Sequence, residues 1–314
     1  MGVVLVGYLD AVMFYGCTEK RQNRDYVWAR LSCTIVAYIL RLYQHWYNPS
    51  MSSRERVYRT EAVVLRRQDL GEADRLLVAY SLDRGKLRLI AKGVRRPRSR
   101  KAGHLEPFTR VQLLLARGRE LDIITQAEAI EMYPGVREDL IHLGQAAYVV
   151  ELLDRFTVER EANRALYRLL VHTLERLVAG VELTAVIRYY ELRLLDQIGY
   201  RPELYRCLGC GAEVRPQDQF FSLAEGGVLC PDCGPGRKDA QRISLAALKV
   251  LRHYQRSTFD VATSARIRPQ VFAEIEQVME DYMCYLLERK LNTPAFLRRV
   301  RRMMHEGLKP ETVV

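Results

Sequence analysis

Four cysteines stand in two short motifs whose spacing suits a metal ion. Cys207 and Cys210 form one C-x-x-C-G motif, Cys230 and Cys233 form a second, and nineteen residues lie between Cys210 and Cys230. Four thiolates at this spacing can surround one Zn²⁺ tetrahedrally; two disulfides or four idle thiols are the alternative. A four-cysteine site leaves no coordination position open for water. The sequence therefore predicts one Zn²⁺ per chain in a structural role.

The other residues that could do chemistry form no recognised catalytic pattern. The six histidines include no i,i+4 pair and no H-E-x-x-H motif, and the zinc-deaminase signature is absent. No G-x-x-x-x-G-K-[ST] phosphate-binding loop occurs either. We therefore expect no catalytic residue and no enzymatic activity, with a zinc-dependent nuclease or deaminase as the enzymatic alternative.

The stretch between residues 60 and 130 shows the short apolar patterns of β-strands. Turn-forming residues at 83–85 and 117–119 separate neighbouring strands, and no long helix lies between them. Five strands favour a small antiparallel barrel, for which the OB-fold is the common choice and an SH3-like barrel the alternative. The predicted strands cover residues 60–67, 75–81, 86–92, 111–116 and 121–130.

Beyond Pro134 the apolar spacing becomes helical. One helix is predicted to end at Gly199, and another to begin after Ser244 as its cap. Between the cysteine motifs, residues 219–223 and 225–228 have the pattern of a strand and a turn into a second strand, which is the outline of a zinc ribbon. The predicted helices include residues 140–150, 166–177, 183–198, 245–254 and 272–286, followed by a basic tail with Arg298, Arg299, Arg301 and Arg302.

These patterns predict an α+β multidomain fold, in which an N-terminal OB-fold β-barrel precedes an α-helical domain with an inserted four-Cys zinc ribbon. The expected units are an extension (1–50), the OB-fold domain (54–134), the first part of the helical domain (135–204), the zinc ribbon (205–238), the second helical part (239–302) and a tail (303–314).

Residues 1–50 differ in composition from the rest, and Met51 looks like a fresh start before a well-patterned strand. We interpret them as an extension that is dispensable for the core function and results from a mis-called translation start; a helical arm over residues 26–47 is the alternative.

No stretch has the roughly 18 uncharged apolar residues of a membrane span, and no signal peptide is recognised. With four of seven cysteines suited to a metal, we expect a reducing cytoplasm and no membrane partner.

Positive charge is concentrated in the predicted barrel. Residues 54–120 contain eighteen Lys or Arg and eight Asp or Glu, a local charge of +10 compared with +11 for the whole chain. The densest part, residues 92–101, carries six cations and no acid, and Pro97 with two glycines nearby predicts a loop. Such a loop can reach a phosphate chain without desolvating a core, so we expect a polyanionic partner. A solubilising loop is the alternative.

Aromatic residues are scarce in the same segment. Only Tyr58, Tyr80, Phe108 and Tyr133 occur between residues 58 and 133, and two or more of them are expected in the core. Because base stacking needs exposed rings, we predict nucleic-acid binding chiefly through phosphates, with an affinity that falls steeply with salt. A strand that is held by its backbone keeps its bases free to pair.

Several motifs of the barrel segment resemble those of the bacterial RecO family. The similarity extends in order over about residues 54–300 and includes the ribbon cysteines, whereas residues 1–50 lie outside it. The motifs are Thr60-Glu61-Ala62-Val63-Val64-Leu65, Gly71-Glu72-Ala73-Asp74-Arg75, Gly85-Lys86, Ala91-Lys92-Gly93-Val94-Arg95-Arg96 and Gly103-His104-Leu105-Glu106-Pro107-Phe108.

The resemblance implies a non-enzymatic DNA repair and recombination mediator that is cytoplasmic and nucleoid-associated. Its implied activities are binding of single- and double-stranded DNA, annealing of complementary strands and, with RecR, loading of RecA onto strands coated by single-strand-binding protein, whose acidic C-terminal tail it would bind through the helical domain. Some family members lack the four cysteines, which implies that the zinc is structural. A zinc-ribbon RNA- or tRNA-binding factor is the alternative.

The resemblance assigns DNA binding to the barrel, and the charge count selects the cations that we expect to contact it. They are Arg67, Arg75, Lys86, Arg88, Lys92, Arg95, Arg96, Arg98, Arg100 and Lys101.

Overall fold

A computed structural model of the protein describes residues 56–305. The predictions made for residues 1–50, and for the tail beyond residue 305, lie outside the described residues. Between residues 56 and 305, none of the helices combines the length and the apolar character that crossing a bilayer requires.

The N-terminal part is a closed five-stranded barrel with the order β1-β2-β3-β5-β4. β1 pairs antiparallel with both β2 and β4, and a short parallel pairing between β3 and β5 completes the ring. The OB-like barrel is thereby confirmed, although one of its pairings is parallel rather than antiparallel. The strands are β1 (Val57–Leu70), β2 (Asp74–Ser81), β3 (Gly85–Ala91), β4 (Arg110–Ala116) and β5 (Asp122–Glu131).

The first two strands are buried on both faces along part of their length. Ala62 and Val64 point into the barrel core, whereas Val63, Leu65 and Tyr80 belong to the core of the helical domain. This two-sided burial explains the unbroken apolar run in β1, because a strand with only one buried face would alternate apolar and polar residues.

The barrel and the helical domain also approach each other at Gly85, where β3 begins. Gly85 has a φ of +63°, and a Cβ atom there would lie 1.8 Å from the carbonyl oxygen of Glu161, in the segment that joins the first two helices. A larger residue would therefore strain its own backbone and also collide with a neighbouring backbone.

The helical domain begins after the barrel, and side chains cap four of its helices. Asp139, Asn163, Glu182 and Ser244 each accept a hydrogen bond from a backbone N–H in the first turn of the helix that follows. Within the described residues the helices are α1 (Leu140–Phe156), α2 (Arg164–Val178), α3 (Leu183–Gln197), α4 (Leu245–Arg256), α5 (Phe259–Thr263), α6 (Pro269–Leu287) and α7 (Thr293–His305).

The basic stretch that was predicted after the last long helix lies in a further helix, α7, which the sequence analysis did not predict. Leu297 of α7 is buried against α1 at Gly144, where a Cβ atom would lie 2.4 Å from a leucine methyl carbon. Arg298 forms a 2.7 Å ion pair with Glu280 of α6. Arg301 likewise pairs with Glu276 of α6 at 3.0 Å, so two of the arginines of the basic stretch help to hold a packed helix.

The insertion between α3 and α4 folds into a three-stranded sheet with the order β7-β6-β8, in which β6 is Gln219–Ser222, β7 is Gly227–Leu229 and β8 is Ala240–Ile243. We call residues 203–243 the ribbon. The predicted hairpin is present, and β8, which the sequence analysis did not predict, lies beyond residue 238. Phe221 anchors the ribbon on α6, where its ring meets Tyr282 edge-on at a centroid distance of 5.4 Å.

A buried polar cluster lies in the middle of the helical domain. Arg188 and Glu191 of α3 form a 3.0 Å ion pair, and the Tyr148 hydroxyl of α1 donates a 2.6 Å hydrogen bond to Glu191. Both charged side chains are almost completely buried. Each charge therefore depends on the other for the interactions that water no longer provides.

Candidate metal centre and nucleic-acid interface

The ribbon brings the four predicted cysteines together. The sulfur atoms of Cys207, Cys210, Cys230 and Cys233 all lie within 4.8 Å of one another, and none of the four takes part in a disulfide. A tetrahedral metal ion with sulfur bonds of about 2.3 Å places its sulfur ligands about 3.8 Å apart, and the Cys210 and Cys230 sulfur atoms are separated by 3.9 Å. The cluster can therefore hold a metal ion.

The turns around the cysteines fit this purpose. Gly211 has a φ of +74°, a conformation that side chains rarely allow, and its N–H donates to the carbonyl of Cys207 at 2.8 Å. In the second motif, packing requires the glycine, because a Cβ on Gly234 would lie 2.4 Å from the Phe220 ring. Both positions thus require glycine, the first for its backbone and the second for its packing.

The electrostatics of the thiols also favour a cation. Although burial raises the pKa of the Cys207 thiol, hydrogen bonds from backbone N–H groups, including that of Cys230 at 3.2 Å, lower it to about 6. Contact with Cys230 and partial burial raise the pKa of Cys233 to about 12. One thiolate is thus stabilised by the protein, whereas further thiolates beside it require a positive ion.

A second candidate site is the loop of residues 92–101 between β3 and β4, which we call the basic loop. Four of its cations, Lys92, Arg96, Arg98 and Arg100, have exposed side chains. None of the four side chains makes an ion pair or a hydrogen bond within residues 56–305. These cations are therefore free to contact a phosphate chain without first breaking a protein contact.

The basic loop is fixed to the tip of the β1–β2 hairpin, residues 69–74. Arg95 donates through its backbone N–H to the Ala73 carbonyl and through its guanidinium to the Gly71 carbonyl, both at 2.9 Å. Its guanidinium also lies 3.4 Å from the Asp69 carboxylate, and the Gly93 N–H donates to Asp74 at 2.7 Å. Arg95 thus links the basic loop to the hairpin tip.

Two further predicted cations belong to the same end of the barrel. Arg75 pairs with Asp69 at 2.9 Å, and both Arg75 and Arg67 reach the Glu106 carboxylate. The hydrogen bond from Arg75 is the main reason why the pKa of Asp69 is lowered. These two acids orient the arginines but also neutralise part of their charge.

Lys101 secures the end of the basic loop. Its ammonium donates to the carbonyl oxygens of Lys92 and Ile124, at 3.2 Å and 3.0 Å, and partial burial lowers the pKa of Lys101. Lys101 therefore fixes the backbone at the end of the basic loop instead of presenting its charge to solvent.

Lys86 and Arg88 lie away from the loop, on the outer face of β3 beside the helical domain. The Lys86 side chain is only 13% exposed and contacts Asp154 of α1 through a 3.1 Å ion pair. Arg88 is exposed and lies 3.7 Å from Glu159. Alternation along β3 placed both cations outside the barrel, but it could not show the acids of the helical domain that meet them.

The structure therefore brings seven of the ten predicted cations to one end of the barrel: Arg67, Arg75, Lys92, Arg95, Arg96, Arg98 and Arg100. Lys101 closes the base of the same loop, whereas Lys86 and Arg88 face the helical domain. The sequence analysis missed the acids Asp69, Asp74 and Glu106, which organise this end. Their role could have been suspected from the sequence, because acids are few in this strongly basic segment and these three are among its eight.

Models of two consecutive regions of one protein family match the chain. The model described as "Recombination protein O N terminal" matches residues 51–133, and the one described as "Recombination protein O C terminal" matches residues 137–295. The chain belongs to the RecO family. It is a member of a family of DNA repair proteins, as the curated relatives named below also indicate.

Curated RecO proteins resemble the chain over most of its length. DNA repair protein RecO of Roseiflexus sp. (strain RS-1) is 43% identical over 251 residues, which are 80% of this chain and 88% of that protein. The protein of the same name from Desulforudis audaxviator is 41% identical over 244 residues, 77% of this chain and 97% of its own length. That of Desulforamulus reducens is 37% identical over 245 residues, 78% of this chain and 95% of its own length.

The RecO N-terminal model ends where the barrel ends, and the RecO C-terminal model contains the ribbon. All four aromatic residues of the RecO N-terminal barrel, Tyr58, Tyr80, Phe108 and Tyr133, are buried. The prediction that two or more of them lie in the core is confirmed, and none of the four is exposed for stacking on a base.

Proposed function

We propose that the protein is a non-enzymatic mediator of DNA repair and recombination, which binds single- and double-stranded DNA and anneals complementary strands. With RecR it would help load RecA onto strands coated by single-strand-binding protein. The observation that carries the DNA-binding part is the basic loop, with four exposed cations that have no protein partner in the described chain. We place this work in the cytoplasm, at the nucleoid.

In this proposal Lys92, Arg96, Arg98 and Arg100 contact phosphates directly. Arg67, Arg75 and Arg95 add positive potential while their carboxylate and carbonyl partners fix their geometry. The remaining predicted cations have other parts: Lys101 holds the loop, Lys86 joins β3 to the helical domain, and the exposed Arg88 contacts a phosphate in competition with Glu159.

Phosphate contacts of this kind suit strand annealing. They bind any sequence, and they leave the Watson–Crick edges of the bases unoccupied. Because the aromatic rings of the barrel are buried, they do not compete for those bases. A second strand can therefore pair with the first while the first is still held.

We propose that the four cysteines bind one Zn²⁺ in a structural role. Zinc is the ion that four-cysteine tetrahedral sites usually hold, and the ribbon's small sheet buries too few side chains to be stable without a cross-link. The cysteines, together with the backbone N–H groups around Cys207, would hold the ion and fold the ribbon onto α6.

We also propose a place for the acidic, apolar tail of single-strand-binding protein. A cavity of about 710 Å³ in the helical domain is lined by apolar side chains, including Leu183, Ile267 and Phe272, and Arg266 also lines it. Its other charged lining residues are Glu182, Glu276 and Arg301, of which Glu276 is paired with Arg301. Such a cleft offers both an apolar contact and a cation, as this kind of peptide requires. An Arg266→Glu variant is expected to lose affinity for the tail peptide while its affinity for free DNA is unchanged; equal loss of both would contradict this placement.

An annealing assay tests the proposed function. Complementary single strands coated with single-strand-binding protein are mixed with the protein in the absence of any nucleotide, and duplex formation is followed by fluorescence. Accelerated annealing supports the mediator function. Strand cleavage or base conversion would instead reveal an enzyme, and preference for structured RNA without annealing would favour the RNA-binding alternative.

A further inference from the structure

The tip of the β1–β2 hairpin carries an apolar side chain that the phosphate-binding proposal leaves unexplained. Leu70 is the last residue of β1, pairs across the hairpin with Asp74 and is 42% exposed. The last five residues of β1, 66–70, are all exposed, so the hairpin tip projects from the barrel body. An exposed leucine alone needs no explanation, so its surroundings decide whether it has a role.

The hairpin tip and the basic loop form one rigid unit. The contacts of Arg95 with Asp69, Gly71 and Ala73, together with the bond from Gly93 to Asp74, attach the loop to residues on both sides of Leu70. Leu70 is consequently held beside the same loop whose four cations are free for phosphates. A ligand that lies along those cations meets an apolar side chain that is already in place, which lowers the entropy cost of contact.

The charge around Leu70 distinguishes it from a comparable residue of the same barrel. Ile130 of β5 is 44% exposed, but its neighbours include the exposed Glu128 and Glu131. These two acids have no paired cation in the described chain, so they repel a phosphate chain.

Leu70 also has acids nearby, but most of them have partners. The Asp69 carboxylate is paired with Arg75 and Arg95. Asp74 accepts the Gly93 N–H. Only Glu72 of these acids has no such partner within the described residues, and the four exposed cations of the basic loop outnumber it. The surface beside Leu70 therefore attracts a phosphate chain.

We propose that Leu70 packs against the face of an unpaired nucleobase in a single strand whose phosphates lie on the basic loop. This inference rests on the proposed DNA binding and extends it from phosphates to bases. Aliphatic contact with a base face involves no hydrogen bond, so it tolerates every sequence and is released when the base enters a duplex. In this arrangement the cations hold the strand, and Leu70 holds one base until its complement arrives.

The test compares two ligands that differ only in their bases. Binding of an oligodeoxythymidylate and of an abasic oligonucleotide with the same number of phosphates is measured by fluorescence anisotropy for the wild type, Leu70→Ala and Ile130→Ala. The wild type and Ile130→Ala are expected to prefer the base-containing strand by about fivefold, a ratio that contact by the exposed part of a leucine can supply. Leu70→Ala should bind both ligands equally, and Leu70→Met should restore the preference.

Salt dependence provides a second measurement. Because Leu70 carries no charge, its replacement should leave the slope of log affinity against log salt unchanged while lowering the affinity for the base-containing strand at every salt concentration. If Leu70→Ala retains the preference for bases, or if Ile130→Ala loses it equally, the inference is wrong although the phosphate interface stands. If the wild type binds neither ligand, the proposed function itself fails.

Discussion

Removing the partner-free arginines of the basic loop should change the salt dependence of DNA binding by a predictable amount. Arg96, Arg98 and Arg100 are exposed and their side chains make no hydrogen bond or ion pair within residues 56–305, so their replacement by alanine leaves those interactions of the protein intact. Each phosphate contact contributes roughly 0.7 to the slope of log affinity against log salt on single strands. The triple variant should therefore lose about 2 from the magnitude of that slope.

The expected effect is large enough to measure by titration with a fluorescent single strand. Between about 50 and about 200 mM salt, a slope difference of about 2 means that the wild type loses about sixteenfold more affinity than the variant. Melting curves of both proteins should coincide, because no hydrogen bond or ion pair within the described residues has been removed.

A matched control removes the same charge elsewhere. Arg168, Arg289 and Arg299 are exposed on the helical domain, and their combined replacement by alanine lowers the net charge equally. This control variant should keep the wild-type slope. Equal slopes for the wild type and the loop variant would show that the basic loop is not the DNA surface, and equal losses in both variants would show that net charge, rather than contact, sets the affinity.

Three further predictions concern other parts of the molecule. Chelation of the metal, or Cys207→Ser, should speed amide hydrogen exchange throughout the ribbon while DNA affinity stays unchanged; lost DNA binding in a protein whose barrel remains protected would give the ribbon a direct role. Glu191→Ala should lower the free energy of unfolding by about 3–5 kcal/mol in denaturant titrations because Arg188 stays buried without its partner, and combining Arg188→Met with Glu191→Leu should recover most of this loss. Glu159→Gln should raise DNA affinity about twofold in the same anisotropy assay, since Arg88 loses a competitor for phosphate, and an unchanged affinity would exclude Arg88 from the interface.

The barrel and the metal ligands were predictable because their signals are local. Strands of the barrel show apolar patterns between turn residues, and a cysteine pair with a following glycine has one common use. The predicted bounds of β2 and β3 differ by only one residue from those in the structure. Charge density likewise located the basic loop, because consecutive cations need no knowledge of the fold.

Contacts between distant parts of the chain were not predictable. Lys86 looked like a surface cation, but its partner Asp154 lies 68 residues further along the chain. The arginines of α7 were predicted only as a basic tail, because the glutamates that pair with Arg298 and Arg301 belong to α6. In both cases the residue type was read correctly as charged, and only the three-dimensional packing reveals whether that charge faces solvent or another side chain.

The shared burial of the first two strands limits how this protein can exchange parts with its relatives. Val63, Leu65 and Tyr80 belong to a core that is completed by helices more than sixty residues away, and Gly85 accepts the backbone of Glu161 against its own. A chimera that joins the barrel of one homologue to the helices of another must therefore take both sides of this barrel–helix interface from the same parent. Although the family models divide the chain near residue 135, residues on the two sides of this interface should change together during evolution.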